Sequence, residues 1–366
     1  MALPTNYINL RSNYWVGLTR PNLELIILEV YVYTGTLTTD KPSTYQFRIP
    51  AKATNGVAEI NISPFVRDYI EPTYDGNDVT NAVWVEYDLK YSDLEDTGLI
   101  THSSVQLTGL NGFQFPEEGN NAFHSDTILQ SADYAIVKSG EDAKVPVMQD
   151  YLTGFELYEN GTKIDETTGL TTTENTSNVI YYASSSTGSG TPDMMRLKFS
   201  GGKTDKDIQI RYREEYRHTA LELAFVNRFG AIQRLWCFAK NNVRIDVQKT
   251  TVKRNLRSAQ TYGTTRHQYK TIRVNGKSTL TVNTDFYPEN ANATFNELML
   301  SDYVWIKVPK SYLDFDKFTE ASEEADIVVP VNVSNNSLPF KTQVNDKLIN
   351  YTFDLQFATD RISTIT

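Results

Sequence analysis

The chain has 366 residues, 40% hydrophobic and 22% charged, which excludes a disordered chain and allows two or three domains with separate cores. Its longest apolar run, Leu25–Leu28, is far too short to cross a bilayer, so no membrane association is expected. The formal net charge is −10, and the charge is unevenly placed along the chain.

Aromatic and β-branched residues dominate the apolar part of the composition. Tyr and Phe occur 22 and 17 times, beside many Thr and Val residues, and these types are enriched on pleated surfaces. The sequence therefore predicts an all-β protein, built from two or more β-sandwich domains with one or two short helices.

Residues 1–112 are predicted to form an amino-terminal β-sandwich domain. In LELIILEVYVYTG, the side chains of Leu28, Val30 and Val32 share one face of a strand. The shorter strands TYQFRIP and VAEINI follow it. In SPFVRDYI the period becomes helical, with Ser63 as a candidate N-cap and Pro64 in the first turn, so a helix of one or two turns is expected.

Two further regions follow this domain. Residues 113–150, which begin FQFPEEGNNAFHSD, are predicted to be a loop-rich connector with one short strand in DYAIVKSG. Residues 151–366 are predicted to form a larger β domain that ends in strands. Within it, Asn160-Gly161 and Asn275-Gly276 each interrupt alternating runs, which is the strongest short cue for a β-hairpin.

The segment TALELAFVNRFGAIQRLWCFAK, residues 219–240, is predicted to be the central hairpin of the larger domain. Its first strand alternates in side-chain direction, and Asn227 to Gly230 supply the turn. Its second strand, Leu235 to Phe238, is apolar on both faces, as expected of a strand covered on both sides. The single cysteine, Cys237, is therefore interpreted as a small buried hydrophobe rather than a reactive thiol.

The rest of the chain continues in strands. TFNELMLS is one of the few helical candidates, and YVWIKVP, DIVVPVNV and LINYTFDLQFATD are predicted strands. The start, MALPTNYINLRSNYWVG, lacks the charged and apolar regions of a signal peptide, so we expect synthesis in the cytoplasm without general secretory export.

The charge is concentrated in a basic block, residues 196–277, which holds 19 Lys and Arg against 6 Asp and Glu. The remainder holds 16 basic and 39 acidic residues, so the two parts carry +13 and −23. Complementary surfaces on neighbouring subunits explain this asymmetry better than a polyanion-binding face does. Plain solvated strand faces explain the asymmetry as well as these two explanations taken together, and nucleic acid is the least supported partner.

No catalytic, cofactor or metal site is predicted. The histidines have no ligand partners at metal-binding spacing and lie far apart, at His102, His124, His218 and His267. No nucleophile elbow, P-loop or dinucleotide fingerprint is present. Acidic triplets such as Asp93, Glu95 and Asp96 are typical of solvated loops, although glycosidases also use paired carboxylates.

Aromatic side chains support an alternative function, because exposed Trp and Tyr residues stack on sugars and anchor interfaces. The candidates are Trp15, Trp84 and Trp305. For Trp236 and Trp305, packing in the core is a better interpretation than exposure at a binding surface. This alternative is a carbohydrate-binding adhesin or receptor-binding protein.

Several separated segments together resemble structural proteins of tailed bacteriophage virions, of the kind found in phages of Bacteroidetes-like and marine bacteria. They are INLRSNYWV, ELIILEVYVYTG with VAEINISPFVRDYI, FVNRFGAIQRLWCF, NTDFYPENANATFNELMLSDYVWI and PVNVSNNSLPFKTQVNDKLINYTFDLQFATD. The resemblance covers most of the chain in order, and none of its segments is diagnostic alone.

The resemblance implies a non-enzymatic component of the neck, tail or baseplate, located in the virion. Such a protein assembles in a ring with copies of itself and with other virion proteins, through unlike surfaces that meet head to tail. Host surface glycan is a further candidate partner. The expected interface residues are Arg211, Arg213, Arg228, Arg234 and Trp15. The basic tip of the central hairpin is expected to reach a neighbour.

Overall fold

The computed structural model describes residues 7–38, 41, 45–52, 56–77, 82–94, 98–118, 127–170, 179–187, 190–214, 217–255, 257–258, 261–262, 265, 267–309, 312, 326–341 and 347–359. Strands dominate these residues, and the helices are short, which confirms the all-β prediction. The chain forms two compact units. The first comprises Met1–Glu214, Ala224–Leu235 and Ala293–Ser301, and the second comprises Glu215–Leu223, Trp236–Asn292 and Asp302–Thr366.

In the described part of the chain, fourteen strands precede the central hairpin. They are β1 (Tyr7–Asn9), β2 (Trp15–Thr19), β3 (Leu23–Tyr33), β4 (Tyr45–Pro50), β5 (Val57–Asn61), β6 (Ala82–Asp93), β7 (Ile100–Leu110), β8 (Tyr134–Lys138), β9 (Lys144–Met148), β10 (Leu152–Glu159), β11 (Thr162–Thr168), β12 (Ile180–Ser184), β13 (Met194–Phe199) and β14 (Lys206–Arg213). Helix α1 (Ser63–Arg67) lies between β5 and β6 in the chain. Single 3₁₀ turns occur at Pro116–Glu118 and Gln149–Tyr151.

The remaining strands and the second helix lie in the hairpin and in the residues after it. They are β15 (Leu221–Val226), β16 (Ile232–Cys237), β17 (Asn242–Lys253), β18 (Arg257–Ser258), β19 (Thr261–Tyr262), β20 (Tyr269–Asn283), β21 (Tyr287–Pro288), α2 (Asn292–Met299), β22 (Val304–Pro309), β23 (Asp326–Val333), β24 (Leu348–Ile349) and β25 (Thr352–Phe357). A third 3₁₀ turn occupies Glu289–Ala291.

The amino-terminal part of the first unit contains two sheets that share one core. Its five-stranded sheet has the order β1-β7-β6-β3-β4, and β2 pairs with β5 in a second, two-stranded sheet. The predicted row Leu28, Val30 and Val32 is fully buried, in one core cluster with Val16 of β2 and Val66 of α1. Alternation in β3 therefore fixes which face of the large sheet meets the small sheet and the helix.

Helix α1 is where the sequence predicted a helix, but Ser63 is not its N-cap. The cap position belongs to Ile62, and no side chain bonds back there as a cap. The amide oxygen of Asn61 accepts a hydrogen bond from the Ser63 backbone N–H instead, at 3.2 Å. An Asn side chain thus satisfies one of the donors that a helix start leaves open.

The predicted boundaries at residues 112 and 150 do not coincide with the division into units. A second five-stranded sheet has the order β11-β10-β13-β14-β8, and β9 pairs with β12. Strand β8 comes from the predicted connector and pairs in parallel with β14, some seventy residues later in the chain, from Tyr134 opposite Gln209 onward. The connector is therefore part of a folded sheet, held by a long-range pairing that local composition does not reveal.

The two Asn-Gly cues have different outcomes. Asn160 and Gly161, with φ of 49° and 76°, form the two-residue turn between β10 and β11, which confirms that hairpin. Asn275 and Gly276 lie inside the continuous strand β20, opposite Gln248 and Val247 of β17, so the prediction of a turn there is wrong.

The largest sheet has the order β16-β15-β22-β23-β25-β20-β17. The central hairpin supplies its first two strands, and Asn227 to Gly230 form the turn as predicted, with Gly230 at φ 81°. All of β15 is buried, so its alternation does not separate a solvent face from a core face. The boundary between the two units passes through this hairpin, at Leu223 and Leu235.

Candidate assembly surface

The turn of the central hairpin is embedded in the first unit. Asn227 is fully buried, and its side chain donates to the Leu129 carbonyl at 2.6 Å and accepts from the backbone N–H groups of Phe229 and Ala231 at 3.0 and 3.1 Å. The Phe113 N–H donates to the Arg228 carbonyl at 2.8 Å. The turn thus joins segments far apart in sequence, and it is not the projecting basic tip that the sequence suggested.

The two arginines that flank this turn contact groups of their own chain. The Arg228 guanidinium lies 3.2 Å from the Glu118 carboxylate and 4.9 Å from the Phe229 ring centroid. The Arg234 guanidinium lies 5.8 Å from the Tyr74 ring centroid and donates to the Gly76 carbonyl at 3.5 Å. Both side chains are half-buried, and their role in an interface stays a prediction.

Arg211 and Arg213 lie on β14, as the alternation predicted. Ile208 and Ile210 of that strand are buried, whereas Arg211 is exposed and Arg213 half-buried. The Arg211 guanidinium lies 5.9 Å from the ring centroid of Tyr134, on the neighbouring strand. Arg211 is therefore accessible to a partner, and its aliphatic stem is ordered against its own sheet.

Among the tryptophans, only Trp15, which is 57% exposed, is available at the surface. Trp84 is fully buried, and its indole N–H donates to the Gly35 carbonyl at 2.9 Å, so its interpretation as an exposed aromatic is wrong. Trp236 and Trp305 are buried, which confirms core packing for both.

Sequence reasoning missed a long exposed element, a two-stranded ribbon in the second unit that we call the basic arm. It consists of residues 242–254 and 269–277, and it is formed by β17 and the first part of β20. Strand β20 pairs with β25 only from Thr279 to Asn283, while its pairing with β17 continues out to Tyr269 opposite Lys253. Since β17 is the last strand of its sheet, the arm extends beyond the sheet as a ribbon.

Cross-strand register divides the arm into two faces, because residues opposite each other in an antiparallel pair share a face. One face continues the core row of Leu280 and Leu355 outward through Val243 to Ile245 and Val247. Ile245 and Val247 are 41% and 49% exposed. We call these two residues, with Val274 opposite Lys249, the apolar row.

The opposite face of the arm is polar and basic. It carries Arg244, Asp246, Gln248, Lys277, Asn275 and Arg273. The arm holds seven Lys and Arg residues against one acid. That acid, Asp246, has its pKa lowered by a 2.8 Å hydrogen bond from Thr279 and by Arg244 at 3.3 Å. The arm is therefore amphipathic, and both of its faces are accessible.

The basic block does not form one surface. Arg196 is neutralised by a bidentate contact with Asp207, at 2.7 and 2.9 Å, which also lowers the pKa of that carboxyl. Arg228 is paired as described above. The positive charge of the block is therefore compensated locally in part of the first unit and is concentrated in the second unit on the arm.

Several titratable groups have shifted pKa values, and each shift has its own local cause. Burial raises the pKa of Asp150 to about 6 and the pKa of the Cys237 thiol to about 12. Burial also raises the pKa of Glu297, whose carboxylate accepts a hydrogen bond from Ser131. Hydrogen bonds, first from Lys198 and then from Tyr158, lower the pKa of Glu156 to about 2. Each shift is explained by packing or pairing.

Among the residues that the structure describes, no group of three or more His, Cys, Asp and Glu residues is arranged to hold a metal ion. None of the helices there has the length and apolar character needed to span a membrane.

No protein-family model and no curated protein sequence matches the chain. Among solved structures, it is similar to a chain of the Salmonella enterica SafA pilin in complex with the SafB chaperone, at 11% identity and a TM-score of 0.18, over 57% of this chain and 93% of the other. It is also similar to a chain of the CsuC–CsuE chaperone–tip adhesion subunit pre-assembly complex of Acinetobacter baumannii, at 10% identity and a TM-score of 0.20, over 57% and 96%. Scores this low carry no argument about fold or function.

Proposed function

We propose that the chain is a non-enzymatic structural component of a tailed-phage virion, in the neck, tail or baseplate. It assembles there with copies of itself in a ring and with other virion proteins. The observation that carries the proposal is the basic arm, a ribbon with exposed aliphatic side chains on one face and most of its cations on the other. Monomeric soluble proteins rarely leave such an element uncovered.

Two features of the sequence support the same function. The segments that resemble virion structural proteins extend over most of the chain. Outside the basic block the chain carries 39 acidic against 16 basic residues, so copies offer each other complementary surfaces. A head-to-tail contact between unlike surfaces closes a ring when its rotation permits.

The test is direct localisation. Mass spectrometry of purified particles is expected to detect the chain at a stoichiometry of several copies, and immunogold labelling is expected to mark one axial position. Absence from particles, together with a monomeric state of the purified chain at every concentration, contradicts the proposal.

A carbohydrate-binding adhesin is the second candidate, and surface aromatics favour it. Trp15 and Tyr69 are 57% and 44% exposed. The Tyr69 ring centroid lies 6.1 Å from that of Tyr45, which lies 5.5 Å from that of Phe65, and the Phe47 and Phe65 centroids are 4.8 Å apart. Such rings can stack on sugar faces. A glycan array with the parent chain and with Trp15→Ala and Tyr69→Ala tests this candidate, and a blank array excludes it.

A further inference from the structure

We infer that the apolar row of the basic arm, together with the cations on its face, binds a second copy of this chain, on the net-acidic part of that copy outside the basic block. The inference deepens the proposed function and rests on it. It names the partner of the arm and the face of the arm that the partner covers.

The partner is inferred to cover the face of the arm that carries the apolar row, because this face continues the core. Ile245 and Val247 follow Val243 and the fully buried Leu280 along the same face, so the pattern that builds the core extends past its edge. A two-stranded ribbon alone is marginally stable in water, and an apolar face that meets a partner offsets this weakness.

Charge identifies the partner. The arm carries seven cations against one anion, and two of these cations, Lys249 and Lys253, share the face of the apolar row by register, so a complementary partner must be acidic. The chain itself carries acidic charge, because its remainder outside residues 196–277 has a net charge of −23. A second copy therefore satisfies both requirements of the arm, an acidic surface and an abundant neighbour in a homo-oligomer.

The strand itself offers a matched control. Val252 is the same residue type as Val247 and is exposed to a similar degree, 44% against 49%. It lies opposite Lys270, beyond the irregularity between Thr250 and Thr251, and its side chain belongs to the polar face. Val247→Ser and Val252→Ser therefore make the same chemical change on opposite faces of one strand.

The first experiment measures self-association of the full chain by analytical ultracentrifugation. Replacing both Ile245 and Val247 by Ser is expected to weaken association roughly 30-fold. Each side chain is about half exposed in the single chain, and the variant loses the apolar burial that this exposed half gains on association. Val252→Ser is expected to change it by less than about threefold on the same scale. Lys249→Glu, on the face of the apolar row, is expected to weaken association at low salt and to reduce its salt dependence. Circular dichroism verifies that every variant is folded.

The second experiment locates the contact. Because Cys237 is buried, Val247→Cys provides one accessible thiol for a maleimide-linked photo-crosslinker. Illumination of mixed ordinary and ¹⁵N-labelled chains is expected to join the arm to acidic peptides of the other isotope. Cross-links found only within one chain, or an oligomer that gives no cross-link, overturn the inference.

Other outcomes separate this inference from the proposed function. Unchanged self-association in the double variant overturns the arm's role, while the virion role stands. A chain that is present in particles but monomeric when pure overturns the second copy as partner only. If fluorescence anisotropy shows that the double variant loses binding to duplex DNA but keeps its self-association, nucleic acid is the occupant and the inference is overturned.

Discussion

Replacing Asn227 by Ala is expected to destabilise the first unit strongly. The fully buried side chain supplies the hydrogen-bond partner of the Leu129 carbonyl and of the Phe229 and Ala231 N–H groups. Each buried group left unsatisfied costs about 1–3 kcal/mol. Allowing for partial relaxation of the turn, we expect a loss of about 4 kcal/mol in the free energy of unfolding.

The assay is urea denaturation followed by circular dichroism and by tryptophan fluorescence, to which the buried Trp84 of this unit contributes. Asn61→Ala is the matched control in the same unit. The Asn61 side chain also makes three hydrogen bonds, to Tyr14, Ser63 and Asn13, but it is only half-buried. Because water replaces lost partners there, a cost of about 1 kcal/mol is expected. Equal losses in the two variants would refute the reasoning.

Asn227→Asp refines the test through pH. The new carboxylate retains an acceptor for the two N–H groups, but its other oxygen faces the Leu129 carbonyl, which the native amide reaches at 2.6 Å. Protonation restores a donor, so burial and the carbonyl raise the folded-state pKa of this carboxyl above its unfolded value. The variant is therefore expected to be less impaired at pH 4.5 than at pH 8. A pH-independent loss would contradict this account of the turn.

Further predictions concern other buried positions. Since burial raises the pKa of Asp150 to about 6, its stabilising contribution is complete below about pH 4 and is lost as the pH rises through 6. Asp150→Asn should therefore gain about 2 kcal/mol at pH 8 but nothing at pH 4, and urea titrations showing equal effects would contradict this. Glu297→Gln is expected to raise the urea midpoint at pH 8, because burial also raises the pKa of that carboxyl; a lower midpoint would count against it. Gly112→Ala should cost about 3 kcal/mol in the same assay, since a Cβ there would lie 2.4 Å from the Arg228 carbonyl oxygen, and a neutral effect would exclude this packing. Cys237 should react with a thiol reagent only at the unfolding rate, and rapid labelling of the native chain would show that the strand opens.

Local patterns predicted the strands well wherever one face meets a core. The alternation in β3 identified Leu28, Val30 and Val32, and the apolar run in β16 identified a strand buried on both sides. The burial of Trp84 was not predicted, because alternation assigns residues to the two faces of a strand but does not show whether both faces are covered. In β6 nearly every residue of both faces is buried, since the strand lies third in a five-stranded sheet.

Long-range pairings were not predictable from composition. The segment taken as a connector contains β8, and its partner β14 follows after a long excursion of the chain. The neutralisation of Arg196 by Asp207 likewise depends on the register of β13 against β14. Counting charges along the chain therefore gives the net charge of the basic block but does not show which of its cations meet acids across strands.

The same dipeptide gave one correct turn and one wrong one, and the difference lies in competition between pairings. A turn at Asn275-Gly276 would pair two short segments of β20 with each other and leave the long alternating run of β17 without a ladder. The observed register instead pairs Asn242 to Lys253 of β17 with β20 from Thr281 to Tyr269, so every residue of β17 gains a partner. The long β17–β20 pairing is favoured over a local turn, because glycine and asparagine permit a positive φ without requiring it. The turn cue thus concealed the basic arm, and with it the candidate assembly surface.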